Sequence, residues 1–499
     1  MKTNSLDFDA QALRERILDL AMRGKLVPQD PNDEPASVLL DKIKAEKAEL
    51  IKEKKIKKTK SLPPITDDEK PFDIPDSWEW VRLGDVGTIT SGGTPKTSEK
   101  SYWEEGKIPW ITPAVMSASQ NDIVFNNKDV KYINNLGLEK SSAHLIQKDS
   151  LVVSSRAPIG YVNIVPFEYT TNQGCKSVSL YDDTNKQFIY FAIKNAVPEM
   201  NRRASGTTFK EISGTKFGQT IVPLPPLSEQ SRIAAKIAQL FALLRKVESS
   251  TQQYAKLQTL LKSKVLDLAV RGKLVKQDPN DEPAGELLKK IKAEKAELIK
   301  EKKIKKSKPL PPITDDEKPF DIPDSWEWVR LGNVVSYQNG YAYKSSELIK
   351  IRKGLPVIKS QNIMTLKVII KDNNDYVKEP NEKMLNSKII KGDLLMCLSS
   401  QSKNPEPLGK TAIYDLDKPA LLNQRVLKLK LINHSMTDLI YYFINSSWFH
   451  FTVSHRGSGS GQSNLKLGDV MNMPIPVPPL NEEKHIVNRI EILFKKLSN

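Results

Sequence analysis

Two loop-like stretches carry an adjacent amide pair, Asn172-Gln173 and Asn423-Gln424. An amide side chain donates and accepts through one planar group, so an exposed pair suits two-point hydrogen bonding to a planar polar partner such as a base edge. Other chemistry is poorly provided for. Five histidines and two distant cysteines, Cys175 and Cys397, form no CxxC, HExxH or HxH, which predicts no zinc centre. The nearest approach to a phosphate loop is NPEPLGKT (404–411), with Asn404 where the first glycine belongs and two prolines stiffening the cradle. Acidic pairs such as Glu104-Glu105 and Asp182-Asp183 are adjacent, a spacing that does not flank a substrate. The residues point to binding, and the question becomes which elements hold them.

A chain of 499 residues is long enough for two or three domains, and its 39% hydrophobic content suits a globular protein. No apolar run approaches a membrane span, and the opening MKTNSLDFDAQALRERILDL lacks the apolar core of a secretory signal. With two lone cysteines, these features predict a cytoplasmic protein. The formal charge of +16 favours a polyanionic partner, although its placement matters more than its sum.

An internal repeat organises the chain. Residues 18–84 recur at 266–332, differing only at positions 22/270, 28/276, 37/285, 38/286, 41/289, 59/307 and 61/309. A weaker repeat relates VPLPPLSEQSRIAAKIAQLF (222–241) to IPVPPLNEEKHIVNRIEILF (475–494). Joining the last residue to the first would rebuild a second copy of the 225–332 segment, so the chain reads as a circle of two units cut open within one conserved segment. A plain tandem duplication would not be cut out of phase at both ends.

From Ser228, the apolar residues Ile233, Ile237, Leu240, Leu244, Val247, Tyr254, Leu261, Val265 and Leu268 step by four and three. Thr251 and Gln258 fill the gaps, giving a heptad seam. Pro225-Pro226 and Gly272 bound this helix. The chain ends carry the seam in two pieces, Ile486 to Leu497 and Leu13 to Leu20, the latter stopped by Gly24. The split helix is the expected antiparallel partner of the central one, with a globular block at each end. The other arrangement open to the sequence packs each helix on its own block. Lysine-rich helices follow at 34–58 and 282–306, and the slightly longer stretches 34–60 and 282–308 supply +9 of the +16. They suit a solvated face, a protein partner or phosphate contact.

Between these segments lie two dissimilar blocks with parallel grammar. Strand-like runs at 108–112, 150–155, 160–165 and 176–181 match runs at 355–360, 393–400, 410–415 and 425–431. Each block then shows a helical stretch (188–195 or 437–444), a glycine-rich turn (202–208 or 455–463) and a proline-rich exit. Basic side chains exceed acidic ones by 16 to 13 over 80–222 and by 20 to 11 over 328–475, a weak bias in the first block and a clear one in the second. The expected fold is α+β and multidomain, with two α/β blocks separated by long antiparallel, coiled-coil-like helices in a pseudo-two-fold. The boundaries are 1–77, 78–223, 224–325, 326–476 and 477–499.

The blocks begin at IPDSWEWVRLGDV (74–86) and IPDSWEWVRLGNV (322–334) and leave through PLPPLSEQSRIAAKI (223–237) and PVPPLNEEKHIVNRI (476–490). Together with RGKLVPQDPNDEPA (23–36) and its copy at 271–284, this pattern resembles the specificity subunit of type I restriction–modification enzymes over essentially the whole chain. SGGTPKTSEKSYWEEGKIPWIT (91–112) is similar to the opening of many target recognition domains of that family. The second block has YQNGYAYKSSEL (337–348) and LPVIKSQNI (355–363) instead.

The resemblance implies that each target recognition domain reads one half of a bipartite, asymmetric DNA site. It implies that the conserved helices set the spacing and recruit two modification subunits, which methylate adenine with S-adenosylmethionine. Restriction subunits that use ATP and Mg join them, and this chain holds no cofactor or metal. The prolines paired at 63, 225, 311 and 478 precede Ile or Leu, so no adenine-methylase [ND]PP[FYW] motif is present. A free-standing two-domain DNA-binding regulator is the alternative, and it predicts tight DNA binding without a partner.

Base reading needs Arg or Lys for guanine and Asn or Gln for adenine, on exposed loops. In the first block the candidates are Thr94, Lys96, Tyr102, Arg156, Asn172, Gln173, Arg202 and Arg203. In the second they are Gln338, Lys344, Gln361, Gln401, Lys403, Gln424, Arg425 and Arg456. Phosphate contacts should outnumber base contacts among them. Trp103 and Trp110 are expected in the core, as are the two cysteines.

Overall fold

The computed structural model describes residues 9–58, 61–181, 184–206, 210–364, 366–399, 408–456 and 464–498. Two compact units divide the chain between Thr251 and Gln252. The division falls within one continuous helix, Leu227–Val270, whose 44 residues give a length of about 66 Å.

In the first unit, the helix Ala10–Met22 begins where the Asp9 carboxylate accepts the Ala12 N–H. It ends at Gly24, whose φ of +65° lets Lys25 N–H turn back to the Leu20 carbonyl. This helix runs antiparallel to the start of the central one. Arg14 pairs with Glu248, while Gln29, past the turn, donates to Glu229 at 2.6 Å. The second unit repeats the arrangement with Leu480–Ser498, where Gln277 donates to Glu482 and Gln258 donates to the Leu497 carbonyl. Within each unit the terminal helix packs both on the central helix and on its own block. Leu18, Ala21 and Met22 join Ile233 and Ile237 in one core that continues into Phe188, Ile189 and Phe191 of the block.

Lysine-rich helices Ala36–Lys52 and Ala284–Lys300 bury only a narrow stripe, Ala36, Leu39 and Ile43 or Ala284, Leu287 and Ile291. The heptad reading of the central helix needs one correction. Val247, Tyr254 and Leu261, assigned to the seam, are exposed, as are Leu243, Leu257 and Leu260. The polar fillers Thr251 and Gln258 are half-buried instead, and the Leu497 carbonyl satisfies the Gln258 amide.

Each block is built the same way. The first has a four-stranded antiparallel sheet in the order Gly87–Ser91, Cys175–Leu180, Leu151–Ser155, Ile159–Ile164. A smaller sheet pairs Ile108–Ile111 antiparallel with Lys131–Ile133 and parallel with Thr170–Thr171. The second block repeats the larger sheet as Val335–Asn339, Val426–Leu431, Leu394–Cys397, Thr411–Ile413. It also repeats the parallel pairing, Ile358 with Leu422 where the first block has Ile111 with Thr171. Entrance and exit of each block are tied by a two-stranded sheet, Glu79–Arg82 with Ile221–Leu224 or Glu327–Arg330 with Pro474–Val477.

The near-identical repeat supplies the buried polar pins of this frame. Trp78 Nε1 donates to Glu229 at 2.9 Å, and Trp326 Nε1 donates to Glu482 at 2.8 Å. Burial raises both glutamates, and the indole and amide donors hold them back. The buried Arg82 donates to the Pro63, Pro64 and Gln219 carbonyls and to Glu69, and Arg330 does the same with Pro311, Pro312, Asn472 and Glu317. Arg330 holds Glu317 down at about 2.

Candidate nucleic-acid interface

In the first block, four of the eight sequence candidates converge on one loop edge. Asn172 follows the strand Thr170–Thr171, and its backbone N–H donates to the Ile111 carbonyl. Its side-chain oxygen accepts the Gly174 N–H at 3.0 Å, which shapes the turn. Gln173 is exposed, and its side-chain oxygen accepts from the Thr94 hydroxyl at 2.8 Å. Arg156 leaves the strand Leu151–Ser155 and crosses over Gly174. A Cβ there would lie 3.0 Å from the Arg156 Nε and 3.1 Å from Pro113, so the position suits a residue without a side chain.

Two residues outside the sequence candidates hold this edge. Lys176 is buried, and its Nζ donates to the Gln173 carbonyl at 2.9 Å and the Ser155 hydroxyl at 3.2 Å. Glu211 lies 3.5 Å from Lys176 Nζ and 3.7 Å from Arg156 Nη1. Burial pulls the Lys176 ammonium below the usual lysine range, and Glu211 opposes that. The sequence signal was faint, since a lysine in the run KSVSLY reads as the solvent-facing half of an alternating strand.

The remaining first-block candidates lie elsewhere. Lys96 is exposed, and its carbonyl accepts from Trp103 Nε1. Tyr102 is half-buried beside Gly137. Arg202 is exposed and paired with Glu199 at 2.6 Å. Arg203 is taken up by the framework, donating to the Lys216 carbonyl and the Thr220 hydroxyl at 2.8 and 2.7 Å, so its guanidinium is not directed at a ligand. Trp110 is buried edge-on to Trp103, at 5.2 Å between ring centroids, and both cysteines are buried.

The second block forms the corresponding edge from different residues. Asn423 N–H donates to the Ile358 carbonyl and Gln424 N–H to the Tyr341 carbonyl. Gln424 is exposed, and Arg425 is half-buried beside it, taking the place of Gly174. Ser399 takes the place of Arg156, since it bridges Asn464 as Arg156 bridges Glu211. The arginine thus sits on opposite strands in the two blocks, and Nη1 of Arg425 is buried. Gln361 and Lys344 are exposed, and Gln338 donates to the Asn386 carbonyl at 2.6 Å. Gln401 and Lys403 lie outside the described residues, as does the Arg456 side chain. Among the described residues, no cluster of His, Cys, Asp or Glu could hold a metal ion, and no helix is long and apolar enough to cross a membrane.

One fold, used twice with differently furnished edges on a repeated frame, defines a duplicated recognition protein. Comparison with known proteins makes the class specific. The family model for the type I restriction modification DNA specificity domain matches residues 75–258 and again 323–499. The type I restriction enzyme EcoAI specificity subunit of Escherichia coli is 33% identical, covering 98% of this chain and 89% of that protein. The EcoEI specificity subunit of the same organism is 31% identical over the same shares. A solved chain, described as a structural basis for complex assembly and conformational transition of the type I R-M system, shares the fold. Its TM-score is 0.54 at 19% identity, covering 86% of this chain and 93% of that one. The protein belongs to the type I restriction–modification specificity subunit family.

Proposed function

We propose that this chain reads a bipartite, asymmetric DNA site, with one half-site taken by each block, and scaffolds the modification and restriction subunits without chemistry of its own. The observation that carries this reading is the repeated loop edge. Identical blocks on a two-fold would read a palindrome. Here Asn172, Gln173 and Arg156 face the task in one block, and Asn423, Gln424 and Arg425 in the other. Thr94, Lys96, Tyr102, Arg202, Gln338, Lys344, Gln361, Gln401, Lys403 and Arg456 are assigned to supporting base or phosphate contacts. Protein partners are favoured by the exposed apolar side chains of the central helix, a surface that another helix would cover. The reading places S-adenosylmethionine, ATP and Mg on those partners and the assembly in the cytoplasm.

The purified chain alone is expected to methylate and cleave nothing. With its modification subunits it should co-elute and confer site-specific adenine methylation, at two modification subunits per chain, because the docking frame is present twice. Native mass measurement giving one per chain would refute the duplicated docking. Tight, site-specific binding by the lone chain, with no co-elution, would favour the regulator instead.

Exchanging residues 80–222 for the equivalent block of a relative should change one half of the methylated site and leave the other half intact. The two-stranded sheet Glu79–Arg82 with Ile221–Leu224 closes the block at those boundaries, so the incoming block must bring its own counterparts of Arg82 and of the strand residues it replaces. Methylome sequencing that shows both halves altered would sink the modular reading.

A further inference from the structure

The two loop edges differ in what lies behind them. In the first block, Lys176 sits beneath the Asn172-Gln173 turn, with its ammonium on the Gln173 carbonyl, the Ser155 hydroxyl and Glu211. Glu211 in turn faces Arg156. Its own backbone is fixed by two hydrogen bonds with Ser205, at 2.8 and 3.0 Å. One buried cation and one carboxylate therefore connect three chain segments: the turn, the strand end at Ser155-Arg156, and the segment after the glycine-rich turn.

The second block keeps the backbone of this arrangement and replaces the side chains. Ile212 N–H donates to the Ser155 carbonyl, and Leu465 N–H donates to Leu398 in the same way. Matching along these pairs puts Leu427 at the place of Lys176 and Asn464 at the place of Glu211. A buried lysine is costly in a block whose fold accepts leucine at the same place. Its retention calls for a use that packing does not supply.

We propose that Lys176 and Glu211 are positioning residues for sequence reading by the first block, fixing the Asn172-Gln173 turn and the Arg156 guanidinium in one geometry before DNA arrives. Lys176 anchors the turn through the Gln173 carbonyl, which leaves the Gln173 side chain exposed on the Thr94 hydroxyl. Glu211 limits the sweep of Arg156 without burying it, since both side chains stay more than a third exposed. A guanidinium held this way loses less freedom on pairing with a base edge. This inference rests on the reading of that edge as the surface that meets DNA.

The test uses the full chain in complex with its modification subunits. Lys176→Met, Glu211→Gln and the double variant Asn172→Ala/Gln173→Ala are compared by the consensus of methylated genomic sites and by Tm. Lys176→Met should relax discrimination in the first half-site roughly tenfold. The second half-site should stay sharp and Tm should hold, because methionine fills the same buried volume and Glu211, more than a third exposed, keeps Arg156 and solvent as partners. Glu211→Gln should relax the same half-site. If the loop double variant relaxes the first half-site and Lys176→Met does not, the positioning role is wrong while the reading edge stands. Should the loop double variant itself leave the first half-site unchanged, the assignment of that edge to DNA fails. Equal weakening of both half-sites with a lowered Tm would show a purely structural lysine and overturn the proposal.

Discussion

Raising the pH from 6 to 9 should destabilise the second unit far more than the first, and Glu483→Gln should abolish the difference. Glu483 is buried in the first turn of Leu480–Ser498, and its Oε2 has no hydrogen-bond partner. Burial pushes its carboxyl up to about 8, with Asp438 adding to the rise and Lys484 opposing it. The matching residue of the first unit is Gln230, a neutral isostere that donates to the Pro225 carbonyl at 2.9 Å and accepts the Asn185 N–H at 3.1 Å. A protonated carboxyl mimics that amide, and a carboxylate does not. Between pH 4.5 and about 8 the native state therefore keeps a proton that the unfolded chain has released. Stability falls as the pH rises through that window and levels off above it. The slope is about 1.4 kcal/mol per pH unit, so the loss from pH 6 to 9 is on the order of 2 to 3 kcal/mol. Urea unfolding of the two proteins at both pH values checks this. A wild-type curve that is flat across the window would show Glu483 ionised in the native state.

The uneven titration has a counterpart in what the sequence could and could not say. Strand-like runs landed within one to three residues of the observed strands, as with 425–431 against Val426–Leu431 and 393–400 against Leu394–Cys397, because a buried apolar run is a local property. The sheet joining Glu79–Arg82 to Ile221–Leu224 was not legible, since it pairs residues about 140 positions apart and Pro223 interrupts one strand. The central helix was legible as a helix, but its contact face was not. The seam has two rows, Leu240-Val247-Tyr254-Leu261 and Leu244-Thr251-Gln258-Val265, and only the position of the partner helix chooses which of them is covered. At the candidate site, Asn172, Gln173 and Arg156 were legible by residue type. Lys176 and Glu211 were not, because a buried lysine reaching a half-exposed carboxylate announces itself only once three separate segments are brought together.

Lengthening the central helix by four residues near Thr251 should yield an active complex that recognises the same two half-sites with one or two more base pairs between them. The insertion point falls after the last ion pair of the first unit, Arg14 with Glu248, and before Gln258, which donates to the Leu497 carbonyl in the second. Both helix pairings therefore keep their contacts. Four residues add about 6 Å and turn everything beyond them by roughly 40° past a full turn. B-DNA advances about 3.4 Å and roughly 35° per base pair, from half-sites 34–36 Å apart per 10–10.5 bp. The translation asks for one to two extra base pairs and the rotation for about one, with the same sign, so a single longer spacer meets both demands. The exposed apolar residues on either side of the insertion also stay nearly in phase, as in a stutter. A one-residue insertion turns the far half by about 100° for only about 1.5 Å, and no change of spacer matches that pair of values. The single insertion should abolish site-specific methylation while leaving each unit folded. Methylome sequencing reads the spacer directly, and an active four-residue variant with an unchanged spacer would mean that the central helix does not set the distance between half-sites.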